Sequence, residues 1–240
     1  MSSESVIRRS GDFFFKYRNG LFPVIFASLF LVSRPRAIER FPQDLFAMGL
    51  GFLLVLAGQG FRLAVIGYAY IKRGGKEGQV YADDLVMRGF YAHSRNPMYV
   101  GNLAVVIGIC ILYGSRWAYF FVLPFFAFAY WAITVAEETY LRGRFGAQYE
   151  AYEKQVNRFW PNWKGLSESL KEFKYDWKRA VRKDYGNVFQ NFSVALLILA
   201  WKFYAHSGTG VFYAVLPALA FLAVFYAWAR VLKKSGQLVS

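Results

Sequence analysis

The sequence predicts an all-α, polytopic membrane protein with about six transmembrane helices, and three observations predict it. Hydrophobic residues make up 56% of the 240 and aromatic residues 20%, and the apolar positions come in long blocks rather than short amphipathic beats. Several blocks approach or reach the roughly 20 residues that a helix needs to cross a hydrocarbon core about 30 Å thick. No repeated ten-residue alternation of the kind that closes a transmembrane barrel is present.

The first block, residues 21–32, is short for a crossing unless Phe13, Phe14 and Phe15 extend it towards the N-terminus. Residues 45–70 are long enough to span with tilt. Within them Gly49, Gly51, Gly58 and Gly60 offer the close helix contacts that small residues make in lipid, and Gln59 reads as an interhelical hydrogen-bonding residue. Residues 98–113 and 117–136, separated by Gly114, Ser115 and Arg116, form a predicted helical hairpin. Residues 188–205 and 211–231 form a second around His206, Ser207, Gly208 and Thr209. Between the hairpins, Leu166, Leu170, Phe173, Trp177 and Val181 recur at helical spacing among Lys171, Lys174, Lys178, Arg179 and Arg182. That pattern predicts a helix over 166–187 lying in the headgroup layer, or else packed on the protein's own surface. The chain thus divides into N-terminal membrane helices (1–80), a core built on the central hairpin (81–165), an interfacial amphipathic helix (166–187) and a C-terminal hairpin (188–240).

The formal net charge is +14. Its Lys and Arg residues flank the apolar blocks, so anionic lipid headgroups rather than nucleic acid are the expected counterpart. Lys72, Arg73, Lys76, Arg88 and Arg95 in the loop 71–96, the basic stretch 137–187 and Arg230, Lys233 and Lys234 all predict cytoplasmic placement, with both termini inside. Arg34, Arg36 and Arg40 in the loop 33–44 are the discordant cluster, and His206 falls on the far side. Cys110 is the sole cysteine, which leaves no disulfide or thiolate metal site to build. No small-residue cleavage site follows the first apolar run, so no cleavable signal is expected.

Two constellations flank the central hairpin, and folding that hairpin brings both to one membrane face. The first runs from Arg88 to Asn102. Pro97 starts an apolar helix, whose first turn leaves N–H groups for a ligand's polar edge. His93 and Asn96 add donors and acceptors, Tyr91 and Tyr99 aromatic walls, and Gly101 a site of close backbone approach. The second is Glu137 and Glu138 followed by Arg142, Arg144 and Phe145. A charge within a span costs about 2.5–3.5 kcal/mol at its centre, so the carboxylates need partners. Arg142 along the same helix is one candidate and a bound cation another. Plainer readings stand beside these: His93 as an interfacial polar residue, the glutamates as a helix end, Tyr91 and Tyr99 as belt aromatics, and Arg158 with Trp160 as surface anchors.

The chain here resembles the membrane-embedded S-adenosylmethionine-dependent methyltransferases, which include isoprenylcysteine carboxyl methyltransferases and phospholipid N-methyltransferases. The resemblance rests on Gly89-Phe90-Tyr91, Arg95-Asn96-Pro97-Met98-Tyr99-Val100-Gly101, Glu137-Glu138 with Leu141-Arg142 and Phe145-Gly146, then Tyr149, Tyr152 and Arg158-Phe159-Trp160-Pro161. It covers about a third of the chain. Isoprenylcysteine-type members usually read Arg-His-Pro where this chain has Arg95-Asn96-Pro97, and Asn-Pro-Met-Tyr is closer to the phospholipid type. The resemblance implies S-adenosylmethionine as cofactor, held by Tyr91, His93, Asn96, Pro97, Tyr99, Gly101 and either Glu137 or Glu138. It implies a lipophilic small-molecule or lipid acceptor.

The physical reading of the same residues runs parallel. Carboxylates and aromatic faces are the groups that hold a sulfonium and an ammonium. Arg142, Arg144 or Arg158 would orient a carboxylate acceptor, and His93 or a glutamate would take the proton of an amine. Two other functions compete: a sterol-reductase-like enzyme using NADPH, and a non-enzymatic scaffold or transporter subunit.

Overall fold

The computed structural model describes residues 3–68, 82, 84–208 and 210–238. Lys72, Arg73 and Lys76, the end of the second apolar run at Ala69 and Tyr70, and Thr209 lie outside the described residues. The helices are α1 (Ser3–Val32), α2 (Phe41–Tyr68), α3 (Pro97–Tyr113), α4 (Leu123–Phe145), α5 (Ala147–Gln155), α6 (Leu166–Lys171), α7 (Trp177–Ser207) and α8 (Gly210–Lys234). A 3₁₀ turn at Gly89–Ala92 precedes α3, and a π turn at Ala118–Val122 leads into α4. The fold is all-α, as the apolar blocks predict.

Six long helices stand where six spans are expected, and among the described residues four of the six crossings have a helix long and apolar enough to make them. Four helical segments are both long and apolar enough to cross a membrane: Phe41–Tyr68, Ala118–Phe145, Trp177–Ser207 and Tyr213–Lys234. Helix α3 has only 17 residues. Helix α1 has 30 but carries Arg8, Arg9, Asp12, Lys16 and Arg18.

Pairing follows from backbone contact. Helices α2 and α3 run antiparallel with Gly51 against Gly108 and Gly58 against Gly101. A Cβ on Gly58 would stand 2.6 Å from the Gly101 carbonyl oxygen, and one on Gly108 2.5 Å from that of Gly51. The close approach expected of glycines in lipid is thus made by Gly51 and Gly58, while Gly49 and Gly60 face open space. Gly11 lets α1 lie equally close to α4 at Ala132. Helix α4 packs on α1 and α3, and α7 packs on α2, α3 and α8.

The central hairpin forms as predicted: Pro97 starts α3, and Gly114 ends it with φ 72° in the left-handed region. Its two open ends therefore share one end of the bundle with the C-terminus of α2 and the N-terminus of α7. There the Asp176 N–H donates to the Gly67 carbonyl at 3.0 Å, and Arg179 donates to the carbonyls of Ile66 and Gly67 at 2.9 and 2.7 Å. At the opposite end the loop after α1 folds down, with the Arg36 N–H on the Tyr113 carbonyl at 2.9 Å and Lys202 Nζ on that of Leu112 at 3.0 Å.

The expected single helix over 166–187 is two. Helix α6 stops at Lys171, and Asp176 starts α7 by accepting the Arg179 N–H at 2.9 Å. Trp177 and Val181 belong to the first turns of the long α7, which runs without interruption to Ser207.

Candidate functional site

The two constellations meet. Asn96 Nδ2 donates to Glu138 Oε1 at 3.3 Å, and the Tyr99 hydroxyl donates to Glu137 Oε1 at 2.8 Å. Glu138, 1% exposed, is paired with Arg95 at 3.3 Å and with Arg158 at 2.8 Å. Arg95 continues to Glu153 at 3.0 Å.

The pair expected between Arg142 and a neighbouring glutamate does not form. Arg142, 38% exposed, turns towards α5 and makes two bonds to the Glu153 carboxylate at 2.8 and 2.6 Å. Glu138 is already served by two other guanidiniums. The bond from Arg142, against an opposing contribution from burial, holds the Glu153 carboxyl below its ordinary range.

A strap of chain after α5 is laid along the residues before α3. The N–H groups of Arg95 and Asn96 donate to the carbonyls of Asn157 and Arg158 at 2.9 and 3.1 Å, and that of Asn162 to His93 at 2.9 Å. His93 is a fastener of this strap. Its Nδ1 meets the Asn162 carbonyl at 2.5 Å, and its Nε2 lies 2.9 Å from the Ser169 hydroxyl. A carbonyl only accepts, so Nδ1 carries the proton, and in the neutral ring Nε2 accepts from Ser169. Gly101 faces α2: a Cβ there would come within 2.7 Å of Arg62 Cγ.

A cavity of about 1070 Å³ opens beside these residues, bounded by α1, α2, α3, α4, α7 and α8. Of the residues singled out in the sequence, Tyr91, Asn96, Tyr99 and Glu137 line it; His93, Pro97, Gly101, Glu138, Arg142 and Arg158 do not. Its lining changes with depth. Arg18, Asn96, Glu137 and Asp184 lie near the strap, and Phe26, Ile109, Phe126 and Leu197 lie further along the same four helices. Glu137 is 7% exposed. One of its oxygens is held by Tyr99, whose ring lies 5.4 Å from that of Tyr130, and no cationic side chain is within ion-pair distance among the described residues. Arg18 reaches it only through the Tyr99 oxygen, at 3.4 Å.

The segment carrying Tyr91, Asn96, Tyr99 and Glu137 is one that known proteins share. Residues 46–148 match the phospholipid methyltransferase family. No curated protein and no solved structure matches the chain. The match runs from α2 through α4 to the first residues of α5 and contains both constellations whole. A segment matching this family and, among the described residues, four helices apolar enough to cross a bilayer together make this chain an integral membrane protein.

One polar centre, of which only Gln59 stands out in the sequence, joins the matched segment 46–148 to the helices after it. Arg62 of α2 pairs with Asp184 of α7 and donates to Asn102 of α3. Gln59 Nε2 and Asn187 Nδ2 donate to the two Asp184 oxygens at 2.6 and 2.8 Å, and Asn191 donates to Gln59 Oε1 at 2.8 Å. Gln59 therefore does join helices, with α7 as its partner. The available signal was Arg62 itself, a lone charge inside a long apolar run. Its partner, 122 residues away, is hidden in a run of charges.

Proposed function

We propose that the protein transfers a methyl group from S-adenosylmethionine to a lipophilic acceptor taken from the bilayer, with the strap side of the bundle facing the cytoplasm. The observation that carries this reading is Glu137, a buried carboxylate at a cavity wall with one oxygen bonded and no cation beside it among the described residues. An uncompensated buried charge is costly, and a cationic ligand relieves that cost. S-adenosylmethionine supplies an electrophilic methyl group on a sulfonium centre and an ammonium at its amino-acid end.

The residues present fit such a group. Glu137 offers a counter-ion, and Tyr99, Tyr130 and Phe126 offer ring faces to a cation. The volume slightly exceeds the usual range of about 300–1,000 Å³ for small-molecule sites, leaving room for part of an acceptor. Asn96, fixed by Glu138 and the Arg158 carbonyl, presents a polar edge at the cavity. Glu138 with Arg95 and Arg158, His93 with Ser169, and Arg142 through Glu153 act as positioning residues that hold this wall. The apolar depth excludes water and takes the acceptor's hydrocarbon, so that donor and acceptor are held in line. A carboxylate acceptor needs no base; an amine acceptor yields its proton to Glu137 Oε2.

Incubation with methyl-labelled S-adenosylmethionine and a total lipid extract tests the reading, and a labelled lipid is the expected product. No labelled product, together with tight NADPH binding and no S-adenosylmethionine binding in calorimetric titration, would overturn it.

A further inference from the structure

We propose that Arg62, oriented by Asp184 and Asn102, is the anion-binding residue of this cavity and takes a carboxylate or phosphate group of the molecules bound there. The inference deepens the proposed methyl transfer and rests on that reading for the identity of the ligands. Arg62 lines the cavity with its side chain 8% exposed. A guanidinium carries five N–H donors. Asp184 takes one from Nε and one from Nη2, and Asn102 takes one from Nη1. Two remain without an acceptor among the described residues, and buried donors left unmade are costly.

The geometry is preset rather than adaptable. Asp184 engages Nε and Nη2 and is itself held by Gln59 and Asn187, so the guanidinium is fixed before any ligand arrives, with one N–H left on each of Nη1 and Nη2 for a carboxylate or phosphate. The charges of the cavity point the same way. Arg18 and Arg62 line it against Glu137 and Asp184, two charges of each sign. A cation at Glu137 adds a further positive charge, which leaves an anion as the complement the cavity still lacks. Asp184 belongs to α7, outside the matched segment 46–148, and acts as a positioning residue through Arg62.

Two ligand pairs separate the possible sources of the anion: S-adenosylmethionine against its decarboxylated analogue, and dihexanoyl glycerophosphoethanolamine against hexylamine. Each is titrated calorimetrically into the native chain, Arg62→Lys and Asp184→Asn in detergent micelles. In the native chain the anion-bearing member of one pair should bind about tenfold tighter or more, as hydrogen bonds between charged groups command. Arg62→Lys should cut that preference to about threefold or less, and Asp184→Asn should reduce it partway, because a point charge or an unfixed fork loses the two-point fit. A preference in the donor pair assigns the anion to the donor's carboxylate; one in the acceptor pair assigns it to the phosphate. Equal binding within both pairs by the native chain overturns the proposal, whether or not a variant folds. So does a preference retained by Arg62→Lys at an unchanged thermal midpoint. Should S-adenosylmethionine not bind at all, that donor is refuted for the protein, while the phosphate pair still decides the role of Arg62.

Discussion

Glu137 and Glu138 are neighbours on α4, and the turn of about 100° between successive helix residues sends them into different surroundings. Glu138 is met by Arg95, Arg158 and Asn96 and anchors the strap to the start of α3. Glu137 is met by one phenol hydroxyl and otherwise faces the cavity. The difference teaches that burial of a carboxylate does not by itself mark a binding group. A carboxylate with its acceptor sites filled by guanidinium holds the fold, whereas one left short of partners beside a cavity is available to a ligand.

The hardest blow to this contrast is Glu138→Ala. It leaves Arg158 without a carboxylate and Arg95 with Glu153 alone, and breaking a buried pair by removing one partner costs about 3–5 kcal/mol. The thermal midpoint in detergent should fall steeply, and a native midpoint would show that Glu138 fastens nothing. Glu137→Gln should do the opposite, leaving the midpoint nearly unchanged while weakening donor affinity on the order of 2 kcal/mol, about thirtyfold. Equal affinity in titration would move the cation elsewhere. Tyr99→Phe sharpens the same point more gently. Loss of its bond to Glu137 should cost about 1 kcal/mol of donor binding, because the carboxylate is no longer aimed; a fall in the midpoint without a change in affinity would make Tyr99 a packing residue.

The smallest effect concerns Glu153 at the outer end of the network. Its carboxyl is held below its ordinary value of 4.5 by Arg142, so its contribution to stability is fully present above that value and is lost as pH falls through the depressed one. Midpoints of the native chain and of Glu153→Gln should differ at neutral pH and converge on acidification. Parallel curves down to about pH 3 would remove Glu153 from the network.

Much of this arrangement was legible in the chain. Apolar blocks with Pro97 and Gly114 at their boundaries define the central hairpin, and two polar clusters flanking a hairpin must return to the same end. The partners of those clusters were not legible. Arg142 looked like the mate of a glutamate at helical spacing, yet α5 brings Glu153 within its reach, a consequence of the turn at Gly146 that periodicity does not encode. His93 was read as a ligand donor because nothing in the sequence shows Asn162 and Ser169 approaching its two nitrogens. Gly101 was read as an opening for a ligand, whereas Gly58 and Arg62 occupy that space. The break before α7 had a local signal in Asp176, overridden by the helical spacing from Leu166 to Val181. The open carbonyls at the end of α2, capped by Arg179 and the Asp176 N–H, give the reason for it.

The glycine seam between α2 and α3 carries one more consequence. Where helices touch through side chains, a rotamer swing can part them briefly and let a hydrocarbon tail slip by. Here backbone rests on backbone at Gly51, Gly58, Gly101 and Gly108, with Val55, Val105 and Leu112 packed beside the contact. That flank stays closed while the helices are folded, so a hydrocarbon tail entering the cavity from lipid would have to pass one of the remaining flanks, and bulk added at the seam would push α2 from α3 and distort the cavity wall from outside.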